Sequence, residues 1–386
     1  MHATARPQFD ITTEVLGRRS PHAPTLVVAV PVKDEVERIG LCLDALASQE
    51  EVEPSDLAVV LMLNNTTDGT ADLVRELAPH AAFAIHLCQV ELDATHANAG
   101  WARRLAMDTA ADLAAPGALL LTTDADTLVN GDWIAANRRE IAKGVDAVAG
   151  YVMADPMELM QLGAAILDRG HLEWQYQQLA AELVARVDQE AHDPWPRHNQ
   201  NCGASAAITL DAYRRIGGLP PKPVGEDRAL FEKVREVDGR VRHSLDVQVV
   251  TSARTDGRAC GGLGDELRLR TDPDHPCDDA LEVAMATLRR AQWRCEFRHA
   301  WNAGKVDAAA WGRRLRMPEL EIRAACVRSH FGEVWAEVEA RSPRLRRRLV
   351  TSNGLKGELR RMRKLVAAIR SREQAVAPAA RRAAFA

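Results

Sequence analysis

The apolar run at residues 119–121 constrains the fold more than any other stretch, because two carboxylates, Asp124 and Asp126, follow it directly. A strand in the middle of a parallel sheet is buried on both faces and reads as a continuous apolar run. In open α/β sheets, ligands bind just beyond the carboxyl ends of the strands. Two carboxylates there suit a hard divalent cation, which usually also holds phosphates. Since Asp is also common in turns, turn formation is the alternative role.

Two earlier apolar runs, residues 25–31 and 57–63, predict buried strands of the same kind. Each is followed by a polar loop and then by a helical pattern, and a weaker strand is predicted at residues 82–87. The alternation of strand, polar loop and helix predicts an α/β fold with a mostly parallel central sheet flanked by helices. Neither Gly-x-Gly-x-x-Gly nor a Walker A sequence occurs. We therefore expect a nucleotide to be held by loop side chains and a metal.

Composition narrows the classes of protein further. A formal net charge of -4 argues against a nucleic-acid binder. The 7 cysteines include no Cys-x-x-Cys, which argues against a structural zinc site and for a reducing compartment. No apolar run approaches the roughly 20 residues of a membrane span. The charged N-terminus lacks an apolar signal core. These features predict a soluble cytoplasmic protein with a flexible tail at residues 1–24.

Three strand ends carry polar motifs: Val-Pro-Val-Lys-Asp-Glu at 30–35, Asn-Asn-Thr-Thr-Asp-Gly-Thr at 64–70, and Asp124-Ala125-Asp126. Together these motifs resemble those of GT-A glycosyltransferases, in particular family 2. In that family the first two loops hold the nucleoside, and the Asp-x-Asp holds Mg²⁺ or Mn²⁺ on the diphosphate. The resemblance thus implies a GT-A fold, a nucleoside-diphosphate sugar donor and a divalent metal cofactor.

Individual site residues follow from the same resemblance. It implies that Pro31, Asp34 and Glu35 flank the nucleoside. It also implies that Asn64 or Asn65 faces the base and that Asp68 braces that loop. Arg103 or Arg104 is implied to lie near the pyrophosphate. Asp124 and Asp126 are implied as metal ligands. Family members usually carry Asn where Asp34 stands, and Asp where Asn64 or Asn65 stands. UDP- and GDP-linked sugars are the donors we favour.

A second resemblance lies further along the chain. Family 2 enzymes carry a small-residue strand, a Gly-Gly turn and an acidic pair before a helix, as at residues 201–208, at residues 217–218, and at Glu226 and Asp227. The Asp of that pair is implied as the general base. An inverting transfer needs a carboxylate within hydrogen-bond reach of the acceptor hydroxyl. We predict Asp227 in this role ahead of Glu226; capping of the helix is the alternative for both.

The loop at residues 252–262 is rich in Gly and Arg. Arg suits phosphate because its guanidinium offers two parallel donors. We predict that Arg254 and Arg258 contact the donor diphosphate or an anionic acceptor, with a solvated surface loop as the alternative. Many GT-A enzymes add a His as the third metal ligand after the acidic pair. His243 and His275 are the nearest candidates along the chain, and neither is assigned as that ligand. We predict that His171 and Trp174 lie on a buried helix face; lining an acceptor pocket is the less favoured alternative.

The C-terminal third reads as helical and ends in a basic run, which lies beyond the resemblance. A solvated helix face or an oligomer contact is its first interpretation; contact with anionic lipid is the second, and contact with RNA is a weaker third. The predicted domains are a GT-A domain at residues 25–275, with a nucleotide-sugar half (25–155) and an acceptor half (156–275), and a helical region at 276–386.

The predicted function is metal-dependent transfer of a sugar to an acceptor hydroxyl, with inversion. A small-molecule acceptor is favoured over a lipid-linked one. The alternatives are a nucleotidyltransferase that makes sugar nucleotides and a non-catalytic nucleotide-sugar-binding protein. The nucleotidyltransferases usually carry a glycine-rich, Arg/Lys-containing loop after the first strand, which residues 32–35 lack.

Overall fold

The computed structural model describes residues 7–258, 261–270, 272 and 275–383, with side chains described as far as residue 375. These residues form two compact units. The first unit takes in the chain up to Glu158 together with Gln200–Arg235 and Gly239–Asp265. The second takes in Leu159–Asn199, Glu236–Asp238 and the chain from Glu266 onward.

One nine-stranded sheet organises the first unit. Its strands are β1 (Ile11–Gly17), β2 (Leu26–Val32), β3 (Leu57–Asn64), β4 (Ala84–Val90), β5 (Leu119–Thr122), β6 (Thr127–Val129), β7 (Ala147–Ala154), β8 (Ala206–Thr209) and β9 (Val241–Thr251). Their order across the sheet is β1-β4-β3-β2-β5-β8-β7-β9-β6. The four neighbours β4, β3, β2 and β5 run parallel, and so do β7 and β9. The remaining pairs are antiparallel, so the sheet is mixed.

Helices cover both faces of this sheet and make up the second unit. In chain order they are α1 (Ile39–Ala47), α2 (Thr70–Leu77), α3 (Ala99–Leu113), α4 (Trp133–Ala142), α5 (Pro156–Gln161), α6 (Ala164–Val187), α7 (Leu210–Arg215), α8 (Glu226–Glu236), α9 (Leu263–Leu269), α10 (Ala284–Asn302), α11 (Ala308–Leu315), α12 (Glu319–Cys326), α13 (Phe331–Arg341) and α14 (Leu355–Ala383). The predicted α/β fold with a flanked central sheet is confirmed.

The core of the first unit has two apolar layers, one on each face of the sheet. All eight residues of β3 are buried. Alternate side chains of β3 enter opposite layers: Leu61 packs in the layer that holds Ile39 and Trp133, and Val60 in the layer that holds Met107. Burial on both faces explains why these strands read as continuous apolar runs.

Residues 11–17 depart from the predicted tail, because they form the edge strand β1, antiparallel to β4. Its one acidic side chain, Glu14, pairs with Arg75 on α2 at 2.6 Å. An edge strand with one exposed side carries polar residues, which hides the strand signal in the sequence. The structure thus gives this segment a place in the sheet.

The long helical stretch predicted after residue 157 is two helices, α5 and α6. They separate at Gly163, whose φ of +91° lies in a region that favours glycine. Helix α6 runs on through Gly170 and His171 without a break. His171 stacks on Trp174, with ring centroids 5.8 Å apart, and both residues are exposed, so their predicted place on a buried helix face is wrong. Helix α6 groups with the C-terminal helices, although we placed it in the acceptor half of the predicted GT-A domain.

Two apolar clusters hold the second unit together. In one, Tyr176 and Leu183 of α6 pack with Leu359 and Met362 of α14. The other is rich in aromatic residues from α10, α11 and α13, including Phe297, Trp311 and Trp335. In the part of the chain that the structure describes, no helix is both long and apolar enough to cross a membrane.

Candidate functional site

The predicted site residues converge where β5 ends. Strand β5 stops at Thr122, and the following turn is fixed by Thr123, whose Oγ1 donates to the carbonyl of Ala204 at 2.8 Å. The backbone N–H of Thr127 closes the turn on the carbonyl of Asp124 at 3.1 Å. The side chain of Asp124 is 32% exposed and that of Asp126 is 17% exposed. The two carboxylates therefore lie at the carboxyl edge of the sheet, as the sequence predicts.

Arg103, on α3, is a buried link between Asp124 and the acidic pair of α8. Its Nη2 donates to Asp124 Oδ1 at 2.7 Å, and its Nε donates to Glu226 Oε1 at 3.1 Å. Its Nη1 donates to Thr122 Oγ1 at 3.0 Å and to the carbonyl of Gly203 at 3.1 Å. Burial by itself lowers the pKa of Arg103, but the carboxylates of Asp124 and Glu226 raise it above its usual value. Arg103 therefore stays charged and positions both acidic groups.

Arg254 forms a second link, between Asp126 and Glu35. Its Nη2 lies 3.0 Å from Asp126 Oδ2, and its Nη1 donates to Glu35 Oε2 at 3.0 Å. Burial and the neighbouring Asp124 raise the pKa of Asp126 to about 6 despite this pairing. Among the described residues, the buried Nε of Arg254 has no hydrogen-bond partner. A spare donor on this arginine suits an added oxygen ligand.

The loops after β2 and β3 are tied to each other. Asp34, with a φ of +52°, accepts hydrogen bonds from the N–H groups of Thr67 and Asp68 at 2.7 and 3.2 Å. Asp68 accepts from the N–H of Val36 at 3.1 Å. Burial raises the pKa of Asp68, but bonds from Thr70 and Val36 outweigh that effect and hold the pKa below its usual value. Both carboxylates therefore shape the loops.

Asn65 has a structural part in the same region. Its φ is +49°, and its side chain bonds with both the carbonyl and the N–H of Leu92, at 2.9 and 3.2 Å. Asn64, the last residue of β3, is buried, and Pro31 is the half-buried residue before the end of β2. The loop of Arg258 reaches this region, because its Nε donates to the carbonyl of Asp34 at 3.2 Å. Residues 259 and 260 of that loop lie outside the described residues.

Glu226 and Asp227 begin α8 but differ in environment. Glu226 is buried, bonded to Arg103, and burial raises its pKa. Asp227 is half-buried, and its two oxygens accept from the N–H groups of Gly203 and Arg228 at 2.9 and 2.7 Å. Two backbone donors fix the orientation of this carboxylate and leave it partly accessible.

Glu158 is a site residue that the sequence analysis missed. Its carboxylate accepts from Arg38 at 2.9 Å, from the hydroxyl of Ser252 at 2.8 Å and from the N–H of Ala253 at 2.7 Å. It thereby anchors the segment that carries Arg254. Nothing in the sequence around Glu158 marks it, because its partners lie 94 to 120 residues away along the chain.

The donor set suits a divalent cation. The cluster contains five carboxylates, those of Glu35, Asp124, Asp126, Glu226 and Asp227, and two guanidiniums, those of Arg103 and Arg254. When all of these groups are ionised, the cluster has a net negative charge. Burial and, after it, the neighbouring carboxylate of Asp124 raise the pKa of Asp126. Within the described ranges, no group of three or more His, Cys, Asp or Glu side chains forms a complete metal site. Two carboxylates completed by phosphate oxygens and water are typical of Mg²⁺.

Neither histidine suggested as a third ligand joins the two aspartates in this structure. Arg235 Nη2 lies 3.1 Å from Nε2 of the buried His243. His275 belongs to the second unit, and its Nε2 lies 3.8 Å from Oε2 of Glu266. The third ligand therefore stays open.

Residues 27–191 match the family model described as Glycosyl transferase family 2. No curated protein matches the chain. Among solved structures, a mannosyltransferase from Pyrobaculum calidifontis in complex with GDP-Man and Mn²⁺ is 20% identical, with a TM-score of 0.43, over 87% of this chain and 89% of that one. S. aureus TarS 1-349 in complex with UDP-GlcNAc is 15% identical, with a TM-score of 0.46, over 90% and 91%. Both TM-scores lie below 0.5, so these two likenesses carry no argument about ligands.

The family match covers β2 to α6, and it includes Asp124, Asp126 and the loops after β2 and β3. Residues 27–191 of this α/β fold, less than half of the chain, are therefore similar to the glycosyltransferases of family 2.

Proposed function

We propose that the chain transfers a sugar from a nucleoside-diphosphate sugar to an acceptor hydroxyl in a metal-dependent reaction. The observation that carries the proposal is the net negative cluster at the end of β5, in which Asp126 has a raised pKa of about 6 beside Asp124. Carboxylates that repel each other in a half-buried site are stabilised by a cation. A cation held there also attracts a diphosphate.

Asp124 and Asp126 would hold Mn²⁺ or Mg²⁺ together with the diphosphate of the donor. When bound, the cation supplies Lewis-acid stabilisation of the charge on the leaving diphosphate. Arg254 and Arg258 are the cationic side chains we assign to the diphosphate itself. The buried, unpaired Nε of Arg254 supports this assignment, since a phosphate oxygen can accept from it.

The nucleoside is assigned to the loops after β2 and β3. Pro31, Glu35 and Asn64 border it, while Asp34, Asn65 and Asp68 hold the loops in shape through hydrogen bonds to backbone groups. UDP- and GDP-linked sugars remain the donors we favour. A small hydroxyl compound remains the favoured acceptor.

Asp227 is assigned as the general base. Its carboxylate accepts the proton of the acceptor hydroxyl while the acceptor oxygen bonds to the anomeric carbon. The bond from that carbon to the diphosphate oxygen breaks with both electrons, and the nucleoside diphosphate leaves. Attack from the face opposite the leaving group inverts the anomeric configuration. Glu226 is bonded to Arg103, so it positions the cluster.

The test measures thermal stabilisation by UDP-, GDP- and dTDP-sugars with Mn²⁺, Mg²⁺ or EDTA. The proteins are wild type, Asp126→Asn and, as a matched control, Asp10→Asn, which changes an exposed carboxylate away from the cluster. We expect one nucleotide to raise the Tm of wild type and Asp10→Asn only with metal, and to leave Asp126→Asn unchanged. Metal-independent binding, or no binding of any nucleotide, contradicts the proposal.

Turnover separates an enzyme from a binding protein. With the stabilising donor and a panel of hydroxyl acceptors, we expect release of the nucleoside diphosphate by wild type and not by Asp227→Asn. Donor binding without release, equal in the two proteins, would instead support the non-catalytic alternative.

A further inference from the structure

The second unit carries a concentrated positive charge that the proposed reaction does not use. Between residues 344 and 364 the sequence has nine Lys or Arg residues and one Glu, a net charge of +8 in a chain whose net charge is -4. The exposed members of this segment form what we call the basic surface: Arg344, Arg346, Arg347, Arg348, Lys356, Arg360, Arg361, Arg363 and Lys364.

The first part of the basic surface has a fixed backbone and free side chains. Leu345 and Val350 are buried at its ends. Between them, the carbonyl of Arg348 accepts from the N–H of Val283 at 2.8 Å, and the N–H of Val350 donates to Leu281 at 2.9 Å. The side chains of residues 346–348 are exposed. The fold therefore holds consecutive arginines toward solvent, so little ordering of the backbone is needed to use them.

The second part is one stripe of α14. Lys356, Arg360, Arg363 and Lys364 follow the spacing that places side chains on one side of a helix. The apolar stripe of the same helix, which includes Leu359 and Met362, is buried in the second unit. Lys356, Arg360 and Lys364 thus lie on the exposed side of the helix, while Arg363 donates to the side-chain oxygen of Gln175 on α6.

Among the residues that the structure describes, several of these cations have no internal ion pair. Within the described ranges, no carboxylate lies in ion-pair distance of Arg346, Arg347, Arg348 or Arg360, whereas nearby Arg341 pairs with Glu321 and Glu337. The one Glu of the segment, Glu358, is engaged by Arg361 and by the N–H of Ala284. Charge of one sign that is left unpaired attracts an oppositely charged partner.

We propose that the basic surface docks on a membrane surface rich in anionic lipid. Each Lys or Arg near such a surface adds to binding. Leu349, 43% exposed, lies directly after the three arginines, where an apolar side chain can enter the headgroup layer. Single-stranded RNA is less suited, because residues 344–364 contain no Phe, Trp or Tyr on which bases could stack.

The experiment is co-sedimentation of the full chain with vesicles of phosphatidylcholine, alone or with about one-third phosphatidylglycerol, at about 0.05 M and about 0.5 M NaCl. We expect binding to the anionic vesicles at low salt and its loss at high salt. Reversing three charges, by Arg346→Glu, Arg347→Glu and Arg348→Glu, is expected to weaken binding by at least about 100-fold.

The matched control changes the net charge equally, by Arg18→Glu, Arg19→Glu and Lys305→Glu, which alter exposed residues outside the basic surface. It is expected to bind anionic vesicles within about threefold of wild type. Equal weakening in both variants, salt-independent binding, or no binding by wild type overturns the proposal. Tighter binding to a single-stranded RNA oligonucleotide than to the vesicles overturns it in favour of a nucleic acid. The salt dependence of wild type decides the case even where a variant fails to fold.

Discussion

Arg254 Nη2 lies 3.0 Å from Asp126 Oδ2, so a guanidinium forms an ion pair with one of the two carboxylates that we assign to the metal. The same arginine also pairs with Glu35. The guanidinium of Arg254 would therefore compete with the proposed metal ion for this oxygen set. The competition makes the two proposed roles of Arg254 separable by experiment.

Replacing this arginine, Arg254→Gln, should change metal and nucleotide affinity in opposite directions. Without nucleotide, Mn²⁺ affinity should rise, because Asp126 and Glu35 lose their counter-ion. Nucleotide affinity in the presence of Mn²⁺ should fall by about 10- to 100-fold, the usual value of a hydrogen bond to a charged group. Electron paramagnetic resonance of free Mn²⁺ and calorimetry measure the two quantities. Arg258→Gln is the control for metal affinity, since Arg258 bonds to the carbonyls of Asp34 and Asp256; parallel losses in Arg254→Gln would contradict the competition.

The raised pKa of Asp126 predicts a pH-dependent cost in stability. The pKa is about 6 in the folded protein and about 3.9 in an unfolded chain. In the folded protein, the protonated carboxyl of Asp126 is favoured over the carboxylate. Its stabilising contribution is fully present below pH ~4 and is lost as the pH rises through ~6, which lowers the free energy of unfolding by about 3 kcal/mol. Asp126→Asn should therefore gain stability relative to wild type as the pH rises from ~4 to ~7 in EDTA. Urea unfolding at several pH values measures the difference, and a difference independent of pH would sink the prediction.

Asp227→Asn should lower kcat by about 10²- to 10⁴-fold, the usual contribution of a general base. The amide keeps one acceptor oxygen and loses the second bond from a backbone N–H, so donor affinity should change little while Tm should fall, by less than in Glu226→Gln. Glu226→Gln is the matched comparison: it weakens the bond to buried Arg103, so it should lower Tm as well as activity. Single-turnover kinetics and thermal unfolding test both variants. Transfer by Asp227→Asn within tenfold of wild type would remove Asp227 from the reaction.

Two glycines in helices should respond to alanine in opposite ways. At Gly100, near the start of α3, a Cβ would lie 1.9 Å from the carbonyl oxygen of Lys222. Gly100→Ala should therefore displace the loop before α8 and destabilise the protein by at least about 2 kcal/mol. At Gly357, in α14, a Cβ meets nothing within 4 Å, so Gly357→Ala should stabilise by about 0.5–1 kcal/mol. Chemical unfolding compares them; similar effects of the two changes would contradict the packing described here.

The sequence predicts where the residues assigned to the donor lie, because they follow strands that are apolar throughout. Asp124, Asp126 and the loops after β2 and β3 lie at strand ends, and parallel strands bring their carboxyl ends to one edge. The links made by Arg103 and Arg254 could not be predicted in the same way. Arg103 meets Glu226 across 123 residues of chain, and Arg254 meets Glu35 across 219. No local pattern encodes such pairs.

Two further differences have the same origin. Strand β1 is an edge strand, and its pairing with β4 depends on a partner about 70 residues away. Helix α6 has the periodicity of a packed helix, but periodicity does not name the partner, which is α14 in the second unit. Propensity and pattern describe an element, whereas its neighbours are set by tertiary packing.

The position of β8 determines the smallest part of the chain that can fold with the proposed site intact. The family match ends at residue 191, yet β8 lies between β5 and β7 in the sheet, and Gly203 and Glu226 supply acceptors for Arg103. A fragment cut at residue 191 would divide the sheet in two and leave a buried guanidinium without these acceptors. The loops assigned to the donor and the residue assigned as base therefore belong to one cooperative folding unit, and neither is a separable module.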